Sequence, residues 1–406
     1  MFKHIKYLFS APAASLMLGL LSFLLVIGIV SSPEQTFQAS LQGLTLWWHI
    51  VFPSLLPFLV LSEMLIAYGL VHGIGVLLEP LMRRVFALPG IGGWALTMGM
   101  TAGFPGGAQS TLQLVQQGDL TPREAERLTW LSHFCNPMTI ILVIGIGLLQ
   151  QPSAGYWLLS IHWISGILAF LTITSLGNLV KHKRNEPSIT ARIITTPNSS
   201  LLRRVRSAIH QAHIRDGRSF GKLLGESVSN AVQTLMVVGG YIIIMAVMIH
   251  LISSYIIPGV SSSYIAGLVE LHLGAKALTT ITTLTPIVQW SLLSFILGWS
   301  GLTAILQSIT PLMNKGVRWF PFIIVRLLHG TYAFTITFIL WNPLKHFVHN
   351  IQPAFFYWPN YASDLSQISG MWSHIPLMLG WQGFILISLL LISWLIVLVT
   401  TTRRSP

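Results

Sequence analysis

The segment Gly103-Phe104-Pro105-Gly106-Gly107-Ala108-Gln109 decides how this chain folds. It lies near the middle of residues 90–117, which are apolar and rich in glycine. Glycine and proline both destabilise a helix, so this stretch is expected to break near Gly103 instead of crossing a membrane smoothly. We therefore predict a re-entrant hairpin over about 90–117, with its tip at the quoted segment. Such backbone is tolerated at membrane depth only inside protein or beside a wet cavity.

The tip has a counterpart in the second half of the chain, Gly298-Trp299-Ser300-Gly301. Two further landmarks recur in the same order and at nearly the same spacing. Leu77-Leu78-Glu79 matches Leu268-Val269-Glu270, and His133 matches His329. Three matches in order indicate two copies of one membrane unit. Paired repeats around interrupted hydrophobic segments are typical of secondary transporters, in which the substrate site lies where the two units meet.

The composition places the chain among the membrane proteins. Of its 406 residues, 53% are hydrophobic and only 8% are charged, whereas a soluble domain has roughly 25% charged residues. Residues 11–30 carry no charge and reach the ~20 residues that a helix needs to cross the bilayer core. A cleaved signal peptide is the alternative, but the apolar run is long for one and Ser31-Ser32-Pro33-Glu34 is a poor cleavage site. We predict an all-α, polytopic membrane protein.

The net charge of +12 is concentrated in one segment. Ten of the 23 Lys and Arg residues lie in residues 181–222, which indicates a cytoplasmic loop and suits contact with anionic lipid head groups. Aromatic residues do not interleave these basic residues, so no nucleic-acid partner is predicted. Cys135 is the only cysteine, which excludes an intramolecular disulfide and a cysteine-based metal cluster. Neither a metal nor a cofactor is predicted.

The hydrophobic runs divide the chain into predicted units. These are an N-terminal transmembrane helix (1–36), a first repeat (37–180) with spans at 44–71, 129–149 and 156–180, the basic loop (181–222), a second repeat (223–341) with spans at 226–253 and 319–341 and a hairpin at about 276–313, a polar and aromatic loop (342–376), and a C-terminal transmembrane helix with a short tail (377–406). Segments 73–88 and 261–275 are too short to cross and are predicted to lie at the interface. Each repeat is predicted to hold an interfacial helix, a re-entrant hairpin and a broken transmembrane helix. Charge and crossing parity predict inverted repeats; the side of the C-terminus, and whether 276–298 crosses alone, stay open.

Each hairpin tip is a candidate binding site for a small molecule. Glycine lets backbone N–H and C=O groups approach a ligand closely, and a half-helix that begins near Gly106 offers a partial positive end. Close packing of helices through small residues is the alternative. The candidate residues are Gly103, Pro105, Gly106, Gly107 and Gln109 at the first tip, and Gly298, Ser300 and Gly301 at the second.

Polar residues inside the predicted spans form a second candidate set. The run Ser132-His133-Phe134-Cys135-Asn136-Pro137 interrupts span 129–149. His133 and Asn136 thus place polar groups at depth, which is costly unless they serve a site or bond across helices. Arg326 and His329 lie in span 319–341, and Glu63 is a candidate intramembrane acid. The alternatives are polar contacts between helices, a helix-end position for Glu63 and snorkelling of Arg326.

Several strings in the chain carry a resemblance to a known family. Residues 47–58, Trp-Trp-His-Ile-Val-Phe-Pro-Ser-Leu-Leu-Pro-Phe, and residues 124–128, Glu-Ala-Glu-Arg-Leu, are the most specific. With Leu77-Leu78-Glu79, the first tip and Gly267-Leu268-Val269-Glu270, they resemble the YlbJ family of integral membrane proteins of endospore-forming bacteria, which carry the Gate, or nucleoside-recognition, domain. The resemblance runs from about residue 38 to 340.

The resemblance implies a sporulation membrane protein involved in spore envelope or cortex formation, in the mother-cell or forespore membrane. Gate domains are similar to the cores of concentrative nucleoside transporters and ferrous-iron permeases, which fits the predicted hairpins. Two positions depart from the family pattern. Gln109 stands where a basic residue is expected, and Ser132-His133-Phe134-Cys135 stands where a small polar run is expected. A nucleoside substrate therefore does not follow from the resemblance.

Two functional hypotheses result. The first is a transporter-like protein that binds an unidentified small molecule between the two tips. The second is a non-transporting scaffold for spore envelope assembly that acts through residues 181–222. The sequence contains no Ser-His-Asp set, paired carboxylates, Walker loop, G-x-G-x-x-G or H-E-x-x-H motif, so an enzyme is not predicted. The lipid bilayer is the predicted partner, and a homo-oligomer is left open.

Overall fold

A computed structural model describes residues 11–180, 200–342, 384 and 387–395, and these contain helices and turns but no strand. The helices in chain order are α1 (Ala11–Ser31), α2 (Pro33–Leu46), α3 (Phe52–Ala67), α4 (Leu70–Arg84), α5 (Gly92–Thr101), α6 (Phe104–Gln116), α7 (Pro122–Ser132), the π-helical α8 (Thr139–Leu148), α9 (Pro152–Val180), α10 (Leu201–Asp216), α11 (Phe220–Leu251), α12 (Ser262–Val269), α13 (Leu271–Thr280), α14 (Pro286–Trp299), α15 (Gly301–Met313) and α16 (Trp319–Ile339). Short π-helical stretches join α2 to α3 at Trp47–Val51 and extend α11 at Ile252–Ile256. Residues 387–395 form a further helical segment.

The helix lengths confirm a polytopic helical membrane protein. Five of the described stretches are long and apolar enough to cross a membrane, and helices satisfy all their own backbone hydrogen bonds in lipid. These stretches are Pro33–Ala67, Ser153–Leu176, Phe220–Ile256, Pro286–Met313 and Trp319–Ile339. The predicted loop 342–376 and most of the predicted C-terminal unit 377–406 lie outside the described residues.

The first long stretch begins earlier than the predicted span at 44–71. Small residues explain this, because Thr36, Ala39 and Gly43 form a buried stripe on α2. A Cβ at Gly43 would lie only 3.1 Å from the Cα of Ile243 in α11. Further along, Trp47 donates a buried hydrogen bond of 2.9 Å to the carbonyl oxygen of Leu235. α2 therefore packs closely on α11 over most of its length, which explains why the first long stretch includes the turns before residue 44.

The first hairpin has the helix–turn–helix form that the sequence predicts. α5 and α6 pack against each other, and the chain reverses at Gly103, whose φ of +92° favours glycine. The predicted break in the next span is also present, since α7 ends at Ser132 and α8 begins at Thr139. Thr121 and Glu124 form the capping box that starts α7. The depth and orientation of this hairpin in a membrane remain predictions.

The second half departs from the predicted layout in three respects. The segment 261–275 is not one interfacial helix, because the chain breaks at Glu270, which caps α13. Residues 276–313 do not form one hairpin: 276–280 complete α13, and α14 and α15 pack mainly on α16 and α6 instead of on each other. The predicted broken helix 319–341 is wrong as well. α16 runs unbroken through His329, because the nearby Gly330 keeps its backbone donor whereas Pro137 lacks one.

The basic segment 181–222 is partly helical. Its second half forms α10 and the start of α11, so the described part is not a loop. α10 packs against α4. Residues 181–199 lie outside the described residues.

Candidate functional site

The first tip lies against the break between α7 and α8. A Cβ on Gly103 would come within 3.0 Å of Asn136 Cβ. Gly99 and Gly107 flank the carbonyl oxygen of Ser132 so closely that a Cβ on either would overlap it. These glycines thus permit close helix packing, which is the role that the packing alternative assigns to them. Gly106 is half-buried, Gln109 is exposed and Pro105 lies in the first turn of α6.

Asn136 and His133 lie in the same break but have different surroundings. The side-chain oxygen of Asn136 accepts a 2.6 Å hydrogen bond from the Thr139 amide, so Asn136 caps the helical turn that leads into α8. The buried ring of His133 stacks on Phe104, with 5.1 Å between ring centroids, and meets the edge of Phe322 at 5.0 Å. Neither ring nitrogen of His133 has a hydrogen-bond partner within the described residues.

Arg326 joins α16 to the end of α7. Its side chain is only 1% exposed and donates hydrogen bonds of 2.7 Å and 2.9 Å to the carbonyl oxygens of His133 and Trp130. Those carbonyls lie at the C-terminal end of α7, where a helix carries partial negative charge. A buried cation is costly unless it is compensated. Within the described residues no carboxylate pairs with Arg326, so the helix end supplies the compensation.

Two histidines extend this cluster, and their hydrogen bonds assign their tautomers. Arg326 lies 3.1 Å from Nδ1 of His329, which therefore accepts, and Nε2 of His329 donates to the carbonyl oxygen of His162 at 2.8 Å. Nε2 of His162 accepts from the Cys135 amide at 2.9 Å. Both rings are buried, with 4.5 Å between their centroids. The tautomers follow from the hydrogen-bond network.

The second tip contacts different elements from the first. A Cβ on Gly298 would come within 2.8 Å of the backbone of His329 and Gly330 in α16. Ser300 is buried, and Ser300 and Gly301 both have positive φ. Gly301 packs against Val269 and Glu270, at the break between α12 and α13. Trp299 donates to the carbonyl oxygen of Leu268 at 2.8 Å.

The two tips do not meet face to face. Ser308 donates to the carbonyl oxygen of Phe104 at 3.5 Å, and Ser308 lies seven positions after Gly301 in α15, which is roughly 10 Å of helix. A chain of contacts links the tips instead. Phe104 stacks on His133, Arg326 bonds the His133 carbonyl and His329, and the backbone of His329 packs on Gly298.

Glu63 lies apart from this cluster. It accepts a 2.8 Å hydrogen bond from Asn230 and lies 3.5 Å from Arg218. Arg218, just before α11, also binds Asp216 and Glu226. Hydrogen bonding from Arg218 lowers the pKa of Asp216 below its ordinary value. Glu63 therefore belongs to an ion-pair group near the end of α3, as the helix-end alternative predicts.

His162 was missed by the sequence reasoning. A signal was available, because His162 is an ionisable residue inside the apolar span 156–180, and the rule that singled out His133 applies to it equally. Its partners, however, come from the break in α7–α8 and from α16. No spacing in the sequence predicts those contacts.

These helices, with a glycine-rich hairpin tip packed against a broken helix, define a multi-pass helical membrane protein. The family model for Gate, described as nucleoside recognition, matches residues 48–152, which include the first tip and the break. The sporulation integral membrane protein YlbJ of Bacillus subtilis strain 168 is 38% identical over 334 residues, covering 78% of this chain and 80% of that protein. The chain belongs to the YlbJ family. No solved structure matches it.

Proposed function

We propose that the protein is a transporter-like membrane protein of sporulation that binds a small molecule where the first tip meets the α7–α8 break. The observation that carries this proposal is His133. Its ring is buried, and both ring nitrogens lack a partner among the described residues. A buried polar group without a hydrogen bond costs about 1–3 kcal/mol. Stacking between Phe104 and Phe322 requires only an aromatic ring, so the nitrogens themselves are the feature to explain.

The neighbourhood of His133 suits a polar solute. The hydroxyl of Ser132 is also buried without a partner in the described part of the chain. The Nε–H group of Arg326 is likewise buried without a partner among the described residues, and it would suit a solute that carries negative charge. The glycines of the first tip pack directly on the residues of this break, and the contacts through Arg326 and His329 lead from it to Gly298, Ser300 and Gly301. Movement of either tip would therefore act on the same cluster.

The role in sporulation rests on the family. The Bacillus subtilis relative is named a sporulation integral membrane protein. By that likeness we place this protein in the mother-cell or forespore membrane, where it supports spore envelope or cortex formation. The binding site at the first tip and the transport step belong to the same proposal.

The variant His133→Phe tests the site. It keeps the stacked ring and removes the two nitrogens, so we expect normal or slightly raised thermal stability together with failure to restore sporulation in a Bacillus subtilis strain lacking YlbJ. His250→Phe is the matched control, because His250 also has a buried, unpartnered ring nitrogen but lies in α11 outside the cluster. Nucleosides, peptidoglycan precursors and metal ions are then screened for a shift in unfolding temperature, which His133→Phe should abolish. A stable His133→Phe protein that restores sporulation fully contradicts the site.

The exposed basic surface of α10 supports a second candidate, a scaffold for envelope assembly that acts through residues 181–222. A scaffold predicts the reverse pattern. His133→Phe would sporulate normally, whereas Ser207→Trp, at an exposed position of α10, would abolish sporulation without lowering the amount of protein in the membrane. Under the scaffold hypothesis, neither variant would show uptake or efflux in proteoliposomes.

A further inference from the structure

α10 is docked on α4 by close backbone contact. A Cβ on Gly69 would overlap the backbone of Ile209, and one on Gly73 would lie 2.8 Å from the Ile209 side chain. Gly69 also has a φ of +81°, which favours glycine. Because two glycines, one at the start of α4 and one within it, make room for it, α10 is a fixed part of the fold and holds its side chains at defined positions.

The carboxylates that contact α10 are already paired on its inner side. Glu79 binds Arg204 and also Arg83 in its own helix. At the other end, Asp216 binds Arg218. The exposed side chains of Arg203 and Arg206 have no hydrogen bond or ion pair within the residues that the structure describes. The outer face of α10 therefore carries positive charge that the protein does not neutralise.

Apolar side chains are exposed on and just after the same helix. Leu202 is 78% exposed and Ile214 is 62% exposed, although water would favour burying both. Phe220, at the start of α11, is exposed as well. A helix with basic and apolar side chains on its outward side is suited to the boundary between lipid head groups and acyl chains. Arginine can keep its charge among the head groups while its stem lies along apolar surface.

A cavity of about 240 Å³ lies beside the first turn of α10. Its walls come from α4, α10 and the helical segment 387–395. The hydroxyl of Ser393, which belongs to this wall, already donates its hydrogen to the carbonyl oxygen of Leu77 at 2.9 Å. The wall residues are Leu77, Leu201, Ile387, Leu390, Leu391, Ser393 and Trp394. Such a wall favours a hydrocarbon occupant.

We propose that α10 and this cavity form a binding site for an anionic phospholipid, with the headgroup phosphate bound by Arg203 and Arg206 and an acyl chain in the cavity. The cavity borders the first turn of α10, and Arg203 and Arg206 lie on the outward side of its first two turns, so the apolar and the basic parts of the site lie at the same end of the helix. Free arginines complement a phosphate, and the apolar wall complements the chain of the same molecule. This site does not depend on the proposed function of the His133 cluster.

The test uses the full-length protein in neutral detergent with added phosphatidylglycerol or phosphatidylcholine of the same acyl chains. We expect phosphatidylglycerol to raise the unfolding temperature and to remain bound in native mass spectrometry, and phosphatidylcholine to do neither. Arg203→Gln with Arg206→Gln should weaken phosphatidylglycerol binding roughly tenfold or more, since each arginine near an anionic lipid contributes about fivefold. High salt should weaken binding further.

Two controls show whether a change in binding comes from these two arginines and not from net charge or unfolding. Lys315→Gln removes an exposed charge from the turn after α15 and should leave phosphatidylglycerol binding unchanged. Both arginines are exposed, so the double variant should keep its unfolding temperature without lipid. The proposal is overturned if the double variant retains full binding, if phosphatidylcholine binds equally well, or if inorganic phosphate alone produces the same shift.

Discussion

Arg326 donates a 2.7 Å hydrogen bond to the carbonyl oxygen of His133, across 193 residues of sequence. The bond places a buried guanidinium from α16 on the C-terminal end of α7. It thereby joins the second predicted repeat to the break in the first. The same guanidinium contacts His329, so one side chain connects His133 and His329, which the sequence analysis predicted as separate candidates.

Replacing Arg326 should lower stability strongly. In Arg326→Met the carbonyl oxygens of Trp130 and His133 lose their donors while they stay buried, at a cost of about 1–3 kcal/mol each. Thermal unfolding in detergent measures the loss. The control is Arg206→Met, which removes an exposed and unpaired arginine and should change stability by less than about 0.5 kcal/mol. Equal unfolding temperatures for Arg326→Met and the wild type would show that the helix end does not need this cation.

Asn136→Ala should lower stability by about 1 kcal/mol, because it removes the cap of the helical turn that leads into α8. Asn136→Ser keeps a capping oxygen and should restore most of the loss. If Asn136 instead serves mainly a ligand, the alanine variant will unfold at the normal temperature and lose its response to whichever solute shifts the wild type. The two outcomes are read from the same melting curves with and without that solute.

Alanine substitutions at glycines of the first hairpin should lower stability, whereas an alanine substitution at a glycine elsewhere should not. A Cβ at Gly99 or Gly107 meets the backbone of Ser132, so Gly99→Ala and Gly107→Ala should reduce the yield of folded protein or its unfolding temperature by several degrees. Gly240→Ala is the matched control, because nothing lies within 4 Å of its added Cβ. In the interior of α11 it should stabilise by about 0.5–1 kcal/mol. Tolerance of both Gly99→Ala and Gly107→Ala would contradict the close packing of α5 and α6 on α7.

The membrane orientation predicts where introduced cysteines react. In a Cys135→Ser background, single cysteines at the exposed positions Val85 and Gln117, which flank the first hairpin, should be labelled by a membrane-impermeant maleimide from the same, cytoplasmic, side. That result follows only if α5 and α6 enter and leave on one side. Labelling from opposite sides would remove the re-entrant hairpin and, with it, the inverted arrangement of the repeats.

The buried pair of Glu270 and His272 should make the stability of the fold decrease at acidic pH. Both residues are buried, their side chains lie 2.8 Å apart, and they belong to α12–α13, outside the five stretches long enough to cross. Burial alone would raise the pKa of Glu270, but His272 and the backbone amides of Leu273 and His272 bring that pKa below its ordinary value of 4.5. The ionised carboxylate then stabilises the fold fully above 4.5, and this stabilisation is lost as the pH falls through the lowered pKa. Unfolding temperatures measured from pH 7 to pH 3 should show this loss in the wild type and much less of it in Glu270→Gln.

Local backbone chemistry made several features predictable. A turn near Gly103 follows from a Gly-Phe-Pro-Gly-Gly run, since glycine and proline both oppose a continuous helix. The start of α7 follows from Thr121, Pro122 and Glu124, which together make a capping box. The strings that carry the family resemblance, such as residues 47–58, could be recognised equally well, because their residues are contiguous in the chain. Each of these conclusions needs only neighbouring residues.

The predictions that were wrong concern helices whose course depends on distant partners. Glu270 was assigned to the middle of one interfacial helix, yet it ends α12 and caps α13 because the second tip packs on that break. The span 319–341 was expected to be the broken helix of the second repeat, yet the hydrogen bonds of α16 continue through His329. There the polar side chain is satisfied from outside, by Arg326 and the carbonyl oxygen of His162.

The sequence by itself determined that this is a helical membrane protein of the YlbJ family, with a glycine-rich turn and a broken helix in its first half. Hydropathy, glycine and proline act through the solvent and the local backbone, so their effects can be read along the chain. Only the tertiary structure decided that Arg326 compensates the end of α7 and that His162 belongs with His329. It also showed that the ring nitrogens of His133 lack partners among the described residues. These facts depend on which helices lie side by side, because a buried polar group takes whatever partner close packing brings within about 3 Å.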